Sequence, residues 1–375
     1  MGAVEPPQSA ARSRSERLDA YLRHDPLNPR LREEAAEAAF DEGAFDRALE
    51  IIEDGEAADR LRNLKAMVFL RQGRIAEAEA LFTELLDASP ADDALRFNLA
   101  WAKALQREYE GADEVLTETA AAETAVAATL KIQLLHHLGR LEEALARGAD
   151  LAERFPTHEP LIAALATVAL DAGETVLARA YGTRAGNSGG ATLGLLALNE
   201  GRTAEALGIF ERSLAADARN ARAQLGKGLA LLAAGDARAA APSLEASGEL
   251  FRDHIGSWIA LGWARYAAGD YAGARQGFER ALGIDENFAE SHGALAVIDI
   301  AEGDIESAKR RVKTAIRLDS KCFSAALAHS LLLQAKGQDA AAEKIRAAAF
   351  STPVGPGGRT LAQAIVSLSA TGAPG

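Results

Sequence analysis

Seven histidines are the residues of this 375-residue chain best suited to metal binding or proton transfer. His136 and His137 are adjacent, and adjacent side chains on a helix point about 100° apart, so the pair does not easily share one metal ion. His292 and His329 fall at helix-packing positions of the repeat described below. At both positions we expect a hydrogen-bonded core histidine rather than a metal ligand.

The single cysteine, Cys322, follows Lys321, which could lower the pKa of the thiol and make it nucleophilic. A small side chain in the core is the alternative, and we expect it here. Segment Gly186–Gly190 reads Gly-Asn-Ser-Gly-Gly and could suggest a phosphate cradle, but no predicted strand precedes it and no lysine follows it directly. The motifs HExxH, GxxxxGKS and GxxxxGKT are absent from the sequence. We therefore predict no catalytic residue, no metal ligand and no cofactor.

Basic residues are densest between positions 309 and 321. We expect them to form a solvated face on the second helix of a repeat, with a docking patch for an acidic partner as the alternative. The residues are Lys309, Arg310, Arg311, Lys313, Arg317 and Lys321.

The composition favours an all-α fold. Hydrophobic residues make up 48% of the chain and aromatic residues only 5%, and the strong helix formers Ala, Leu, Glu and Arg dominate. The 54 acidic and 41 basic residues give a formal net charge of −13, which repels phosphate backbones and disfavours nucleic-acid binding. A single cysteine excludes an internal disulfide and fits a reducing compartment.

No segment looks like a targeting signal or a membrane anchor. Residues Met1–Glu16 contain no continuous apolar run, and stretches such as Leu229–Ala234 are far too short to cross a bilayer. We expect a soluble cytoplasmic protein that does not insert into membranes, with loose ends over residues 1–14 and Thr371–Gly375. The abundance of alanine, and of arginine over lysine, is typical of bacterial proteins.

Glycines recur at a fixed spacing, which indicates a repeat protein. Five of them are 34 residues apart: Gly201, Gly235, Gly269, Gly303 and Gly337. The same register continues towards the N-terminus, less evenly, through Gly173, Gly139, Arg107 in place of a glycine, Gly73 and Gly43. An alanine stands five residues after every register position: Ala48, Ala78, Ala112, Ala144, Ala178, Ala206, Ala240, Ala274, Ala308 and Ala342.

The spacing indicates pairs of helices joined by tight turns. Helical stretches lie on both sides of a register glycine, as Trp258–Tyr266 and Ala272–Leu282 do around Gly269. Glycine permits the positive φ that a tight turn between two helices needs. The alanine five places after a register position and a small residue seven places before it allow the two helices to approach closely. Ile132 is the exception, because it stands where the small residue is expected. The pattern predicts ten helical hairpins.

This pattern resembles the tetratricopeptide repeat, whose signature is W-x2-L-G-x2-Y, then A-x3-F, then P. One unit matches it with Trp258, Leu261, Gly262, Ala274, Phe278 and Ala281, although Tyr266 falls one place late. Partial matches in other units are Ala78, Phe82 and Pro90, then Ala144 and Pro156, then Ala206 and Phe210. The resemblance covers roughly residues 29–351 and implies a right-handed α-solenoid of stacked helical hairpins.

The resemblance also implies a binding surface, because the first helices of tetratricopeptide arrays line a concave groove. Apolar and aromatic side chains at the groove positions suit an extended or helical peptide. Packing between neighbouring hairpins is the alternative role for part of this set. The implied peptide-binding residues are Phe97, Trp101, Leu225, Leu229, Ile259, Trp263, Tyr266 and Val297, with Leu105, Leu232 and Ile300 at further groove positions.

An irregular interval divides the expected array. The spacing between Gly173 and Gly201 is six residues short, and segment Gly186–Gly190 reads as a loop or kink. We expect an irregular array of repeats 1–5 over residues 29–185 and a regular array of repeats 6–10 over residues 186–351. A shortened helix in an otherwise unchanged stack is the alternative.

Both ends of the array are expected to carry a cap, because the internal faces of stacked hairpins are apolar. A half-repeat over residues 15–28 would cover the first hairpin. After a Pro/Gly linker that begins at Thr352, a helix with Leu361, Ile365 and Leu368 on one stripe would cover the last hairpin.

The sequence therefore predicts a non-catalytic scaffold or adaptor that binds a protein or peptide partner in its groove. A bacterial assembly or secretion-related chaperone would be a special case. The alternative is a regulatory or accessory subunit of an enzyme complex whose catalytic subunit is a separate chain. An enzyme with an unrecognised groove site is a third hypothesis.

Overall fold

All regular secondary structure in the described part of the protein is helical. The structure, a computed structural model, describes residues 13–53 and 58–350, which form twenty-two α-helices and one 3-10 turn and contain no strand. The all-α fold predicted from composition is confirmed. The predicted loose ends, and the predicted final helix with Leu361, Ile365 and Leu368, lie outside the described residues.

The chain divides into two compact units, Met1–Pro156 and Thr157–Gly375. The first unit contains α1 (Arg14–His24), α2 (Pro29–Asp41), α3 (Phe45–Glu53), α4 (Asp59–Arg71), α5 (Ile75–Ala88), α6 (Asp93–Leu105), α7 (Tyr109–Val115), α8 (Glu118–Glu123), α9 (Ala125–His137) and α10 (Leu141–Arg154). The second unit contains α11 (Glu159–Asp171), α12 (Thr175–Arg184), the 3-10 turn Gly186–Gly189, α13 (Gly190–Asn199), α14 (Thr203–Ala216), α15 (Ala221–Ala233), α16 (Ala237–Phe251), α17 (Ile255–Ala267), α18 (Tyr271–Ile284), α19 (Ala289–Glu302), α20 (Ile305–Leu318), α21 (Phe323–Gln334) and α22 (Asp339–Phe350).

Each unit is a row of helical hairpins whose consecutive helices pack on each other. The first unit has four hairpins: α2/α3, α4/α5, α6/α7 and α9/α10. The second unit has six: α11/α12, α13/α14, α15/α16, α17/α18, α19/α20 and α21/α22. The ten predicted hairpins are therefore present. A helix also stands where the N-terminal half-repeat is predicted, and its Leu22 is buried in the same core cluster as Ala35 and Ala39 of α2.

Every register position of the sequence is the turn of a hairpin. The nine register glycines adopt positive φ, between +70° and +87°, and Arg107 adopts φ +66° at the position that lacks a glycine. At Gly269 the turn closes through two backbone bonds, from Gly269 N to Tyr266 O (3.0 Å) and from Asp270 N to Arg265 O (2.9 Å). These bonds satisfy carbonyl groups at the end of the first helix, as in other left-handed helix caps.

Small residues let the two helices of a hairpin approach closely. All ten register alanines are fully buried. A Cβ atom added at Gly262 would lie under 3.0 Å from the ring of Phe278, and one added at Gly194 would meet Phe210 in the same way. The phenylalanine of the second helix therefore fills the space that the missing side chain of the first helix leaves. This packing fixes which face of each first helix remains outside the hairpin.

Segment Gly186–Gly190 lies within the second unit and joins α12 to α13. Gly186 has φ +57°, and a Cβ atom at Gly189 would lie under 3.0 Å from the carbonyl oxygen of Gly182. The glycines are thus required by a tight turn packed on the end of α12. The division between the units falls earlier, after Pro156, and a kink at Gly186–Gly190 stays a prediction.

Candidate peptide-binding surfaces

Three predicted groove residues of the second unit lie together on α17. Ile259, Trp263 and Tyr266 are four and three residues apart, which places them on one face of a helix, and all three are half-buried. The Trp263 ring packs edge-on against Phe278, with ring centroids 5.2 Å apart, and against Tyr266 at 5.6 Å. Because Phe278 is held in the hairpin core opposite Gly262, the indole rests on a fixed support.

Tyr271, the first residue of α18, extends this cluster. Its ring centroid lies 5.4 Å from that of Tyr266, and the side chain is 44% exposed. Ile259, Trp263, Tyr266 and Tyr271 together form the surface that we call the α17 patch. Tyr271 lies on a second helix, outside the groove predicted from first helices, so it was not among the predicted residues. An aromatic residue two places after the register position, which also occurs at Phe45 and Tyr109, is the signal that could have found it.

The polar groups of the α17 patch are unused within the described part of the chain. No described residue forms a hydrogen bond with the indole N–H of Trp263 or with the hydroxyl groups of Tyr266 and Tyr271. Burial raises the pKa of Tyr266, and the nearby Tyr271 raises it further, so the hydroxyl stays a protonated donor at neutral pH. Trp258, on another face of α17, differs because its N–H donates to the carbonyl oxygen of Arg252 at 3.3 Å. Aromatic side chains with free polar ends suit recognition of a peptide.

The other groove residues predicted in the second unit differ in accessibility. Leu225 and Leu229 of α15 are half-buried, and Leu225 packs against the core cluster that contains Leu244 and Trp258. Val297 of α19 is only 1% exposed and lies in a core cluster between α19, α20 and α21. Trp263 and Tyr266 pack against that same cluster. Val297 is therefore a core residue beneath the aromatic rings, and its side chain is not available to a peptide.

The first unit carries a second group of predicted groove residues on α6. Phe97, Trp101 and Leu105 are spaced four residues apart, and Trp101 and Leu105 are 37% and 48% exposed. The rings of Phe97 and Trp101 are 5.8 Å apart. Beside them, the Asn98 amide donates to the Asn63 side chain of α4 at 3.3 Å. We call Phe97, Trp101 and Leu105 the α6 patch.

Three of the residues considered for catalysis or metal binding make structural contacts. Cys322 caps the N-terminus of α21, where it is buried, and burial together with the nearby Glu290 carboxylate raises the pKa of its thiol to about 12. The His292 ring lies 2.8 Å from the carbonyl oxygen of Glu286. The His137 ring stacks on Tyr109 with a centroid distance of 4.4 Å. Within residues 13–53 and 58–350, no cluster of three or more His, Cys, Asp or Glu side chains could hold a metal ion.

The Gly186–Gly190 turn is unsuited to phosphate. Ser188 donates its hydroxyl to the Glu159 carboxylate at 3.1 Å, and that carboxylate also lies beside Gly186. A negative charge at this position repels an anion.

The basic cluster of α20 is partly neutralised by its neighbours. Lys309 pairs with Glu306 at 2.5 Å, and Arg310 donates to the Ser307 hydroxyl at 2.7 Å. The partly exposed Arg311 reaches back to the buried Asp299 carboxylate of α19 at 3.0 Å, so its charge is paired within the unit.

Comparison with known proteins identifies the repeat. Two sequence models, both described as tetratricopeptide repeat, match the chain: one at residues 69–134 and 265–334, the other at residues 191–248. The chain is a tetratricopeptide repeat protein. Repeats of this family are typically non-catalytic, and the match supports protein–protein interaction as the general role of this tetratricopeptide repeat protein.

A solved structure with a TM-score above 0.5 has the same fold at low sequence identity. A structure of a monomeric IFIT1 mutant with m7Gppp-AAAA is 13% identical and matches with a TM-score of 0.53 over 90% of this chain and 95% of its own. Two crystal structures of MamA are 20% identical and cover 42% of this chain and 91% and 86% of their own, with a TM-score of 0.35. No curated protein sequence matches the chain. Among the helices of the described residues, none is both long and apolar enough to span a membrane.

Proposed function

We propose that this tetratricopeptide repeat protein is a non-catalytic scaffold or adaptor that captures a peptide or protein segment on the first helices of its hairpins. The observation that carries the proposal is the α17 patch, where aromatic rings rest on the hairpin core and keep their hydrogen-bonding groups unused. A bound peptide would cover the rings with apolar side chains and offer its backbone to the Trp263 N–H and the tyrosine hydroxyls.

The support beneath the rings favours tight binding. A side chain that is already held by its neighbours loses little conformational freedom when a ligand binds. Trp263 is held by Phe278 and Tyr266, and Tyr266 is held by Tyr271. We therefore expect the binding free energy to concentrate in Trp263 and Tyr266, with Ile259, Leu225 and Leu229 supplying weaker contacts around them.

The first unit offers a second, independent surface for a partner. The α6 patch is more exposed than the α17 patch but has fewer polar groups, and its rings form only one pair. We expect weaker binding there. A partner could use either patch alone.

A role in assembly or secretion, as a cytoplasmic chaperone of a bacterial cell, is the finer form of the proposal. The lone cysteine fits a reducing compartment, and its raised thiol pKa favours a structural side chain over a nucleophile. These observations support a binding role rather than catalysis.

The proposal is tested with a random twelve-residue peptide library displayed on phage and selected on the immobilised full-length chain. Enriched peptides are then synthesised, and their dissociation constants are measured by calorimetry. Trp263→Ala is expected to weaken binding roughly thirtyfold, which corresponds to about 2 kcal/mol. Tyr266→Phe keeps the ring and removes the hydroxyl, so we expect a loss of about tenfold or less.

Two controls separate the α17 patch from other surfaces. Trp101→Ala removes an exposed indole from the first unit and should leave these peptides bound. Lys309→Ser with Arg310→Ser removes two charges of α20 without touching Arg311, and should change only the salt dependence. The proposal fails if the Trp263 variant binds like the parent, with unchanged helicity, while the basic double variant does not bind.

A further inference from the structure

A cavity of about 590 Å³ is lined mainly by residues of α18, and no residue of the α17 patch lines it. It opens where α16 ends and is bordered by the exposed face of α18. Two arginines, Arg252 and Arg280, line it together with Glu279 and the indole of Trp258. Neither the repeat pattern nor the predicted groove accounts for this combination.

The indole of Trp258 forms a rigid floor. It is 4% exposed, packs against the backbone of α16 at Gly248, and donates its N–H to the carbonyl oxygen of Arg252. The Arg280 guanidinium lies over the ring, 5.2 Å from its centroid. Stacking fixes the plane of a guanidinium while leaving its N–H edge available to a bidentate ligand.

Arg252 has a strained backbone that places it at the mouth of the cavity. Its φ is +66° and its ψ is −54°, and the N–H of Asp253 donates to the carbonyl oxygen of Phe251 at 2.9 Å. This is a γ-turn of the strained, positive-φ kind, where glycine would be the favourable residue. The loops that join α14 to α15 and α18 to α19 are one residue longer than this one. They begin with Asp217 and Asp285, whose φ values are negative. A strained arginine at such a position points to a use for its side chain.

The lining of the cavity carries two arginines and one glutamate, which leaves a formal charge of +1. Among the described residues, no carboxylate pairs with Arg252 or Arg280 within 4.0 Å. Glu279 is the one acidic residue in the lining, and it lies 3.9 Å from Arg275, on the same helix. Two guanidinium groups beside an apolar border, which Ile284 completes at 37% exposure, match a carboxylate next to an aliphatic side chain.

We propose that this cavity is a second binding site, which takes an acidic peptide segment by pairing a Glu or Asp carboxylate with Arg252 and Arg280. The neighbouring apolar side chain of the segment lies against Ile284. The site is separate from the α17 patch and would give the scaffold a second point of attachment. It does not depend on the α17 patch binding anything.

The test uses a fluorescein-labelled hexapeptide with an amidated C-terminus, Gly-Leu-Glu-Leu-Gly-Gly, its Gln version and its phosphoserine version, with anisotropy measured on the full chain at several salt concentrations. We expect saturable binding of the Glu peptide, at least tenfold weaker binding of the Gln peptide, and at least fivefold losses for Arg280→Gln and Arg252→Gln. Arg238→Gln removes an exposed arginine of α16 that is not part of the lining, and should have no effect. Trp263→Ala should also leave this binding unchanged, which separates the result from the proposed function.

Arg252→Gly provides a readout that a purely structural role would not give. It should raise the unfolding midpoint, because glycine relieves the γ-turn, and should weaken peptide binding as much as Arg252→Gln does. Equal binding of the Glu and Gln peptides would overturn the proposal. So would equal losses for Arg238→Gln and Arg280→Gln. Tighter binding of the phosphoserine peptide, or competition by inorganic phosphate at the concentration of the Glu peptide, would overturn the choice of a carboxylate.

Discussion

The repeat around α7 in the first unit and the repeat around α19 in the second both place a carboxylate between two cations. Asp113 of α7 lies 2.6 Å from both Lys131 and Arg140, and its side chain is 11% exposed. Asp299 of α19 lies 2.8 Å from Arg275 and 3.0 Å from Arg311, and is 3% exposed. The two clusters have the same charges but different tasks.

In the first unit the cluster stabilises the interruption between α7 and α8. The second helix of the repeat stops at Val115, and α8 starts only at Glu118. The Lys131 ammonium donates to the carbonyl oxygen of Leu116 at 3.1 Å as well as to Asp113, so it satisfies a carbonyl group that the interrupted helix exposes. In the second unit Asp299 joins α18, α19 and α20, which are 14 residues long each. A buried ion pair can therefore either repair an irregular repeat or tie regular repeats together.

The largest effect is expected from Asp113→Asn, compared with Asp299→Asn. Without the Asp113 charge, the buried Lys131 keeps only Glu118, at 3.4 Å, and backbone carbonyls, which should cost about 3 kcal/mol. Without the Asp299 charge, Arg275 keeps Glu302 at 2.7 Å and the partly exposed Arg311 can reach water, so we expect about 1.5 kcal/mol. The free energies of opening of α9 and α19, measured by native-state hydrogen exchange, check the order. A larger loss at α19 would contradict the comparison.

A smaller effect is expected from the distance between the two helices of a hairpin, which is compared between the units. The first unit has Ala66 beside Phe82, both fully buried, whereas the second has Gly262 beside Phe278. If the helices of the second unit are closer, Gly262→Ala should cost about 2 kcal/mol through overpacking, although it restores the pairing seen in the first unit. Gly283→Ala is the matched control, because nothing lies within 4 Å of its Cβ position, and it should stabilise α18 by about 0.5 kcal/mol. Equal unfolding midpoints for the two variants in thermal denaturation would show that the α17/α18 hairpin accepts a methyl group at position 262 without overpacking.

The smallest effect concerns the outer edge of the first unit and depends on pH. Glu42 accepts hydrogen bonds from the backbone N–H and the hydroxyl of Ser15 in α1, and the Ser15 side chain is the main cause that lowers the pKa of Glu42 to about 2. A carboxylate whose pKa is lowered by folding stabilises the fold above its ordinary pKa of 4.5, and this stabilisation is lost as the pH falls towards 2.

Hydrogen-exchange protection of α1 should therefore decrease between pH 5 and pH 2.5, before that of the hairpin helices in either unit. Ser15→Ala should remove most of this pH dependence. A pH profile of α1 that is identical in the variant and the parent would rule out Glu42 as the origin.

Local patterns predicted the hairpins because each hairpin is specified by its own residues. The register turns follow from glycine, and even Arg107 adopts the positive φ that its place in the register requires. The register alanines are buried as their spacing predicts, because a helix crossing leaves no room for a larger side chain. Ile132, the exception in the sequence, is buried at the same position, and the hairpin that precedes its own, α6/α7, contains the interrupted helix.

Other features depend on neighbours that are distant in sequence. The break after Val115 is stabilised by Lys131, and nothing in the local sequence near Leu116 announces that contact. Val297 and Trp263 occupy similar positions in consecutive repeats, yet the first is buried because the rings of the second lie above it. The γ-turn at Arg252 replaces a turn one residue longer without changing the 34-residue spacing, so the repeat pattern conceals it.

The buried thiol of Cys322, the one cysteine of the chain, reports the opening of the last repeats without an engineered label. Because the pKa of Cys322 is raised to about 12, an alkylating reagent at neutral pH finds almost no thiolate in the closed protein. Modification must wait until α21 separates from its neighbours, so the labelling rate measures how often this end of the stack opens. A mass increase of one adduct per chain would record those openings even in a crowded lysate. A slower labelling rate there than for the purified protein would reveal a partner that holds the end closed.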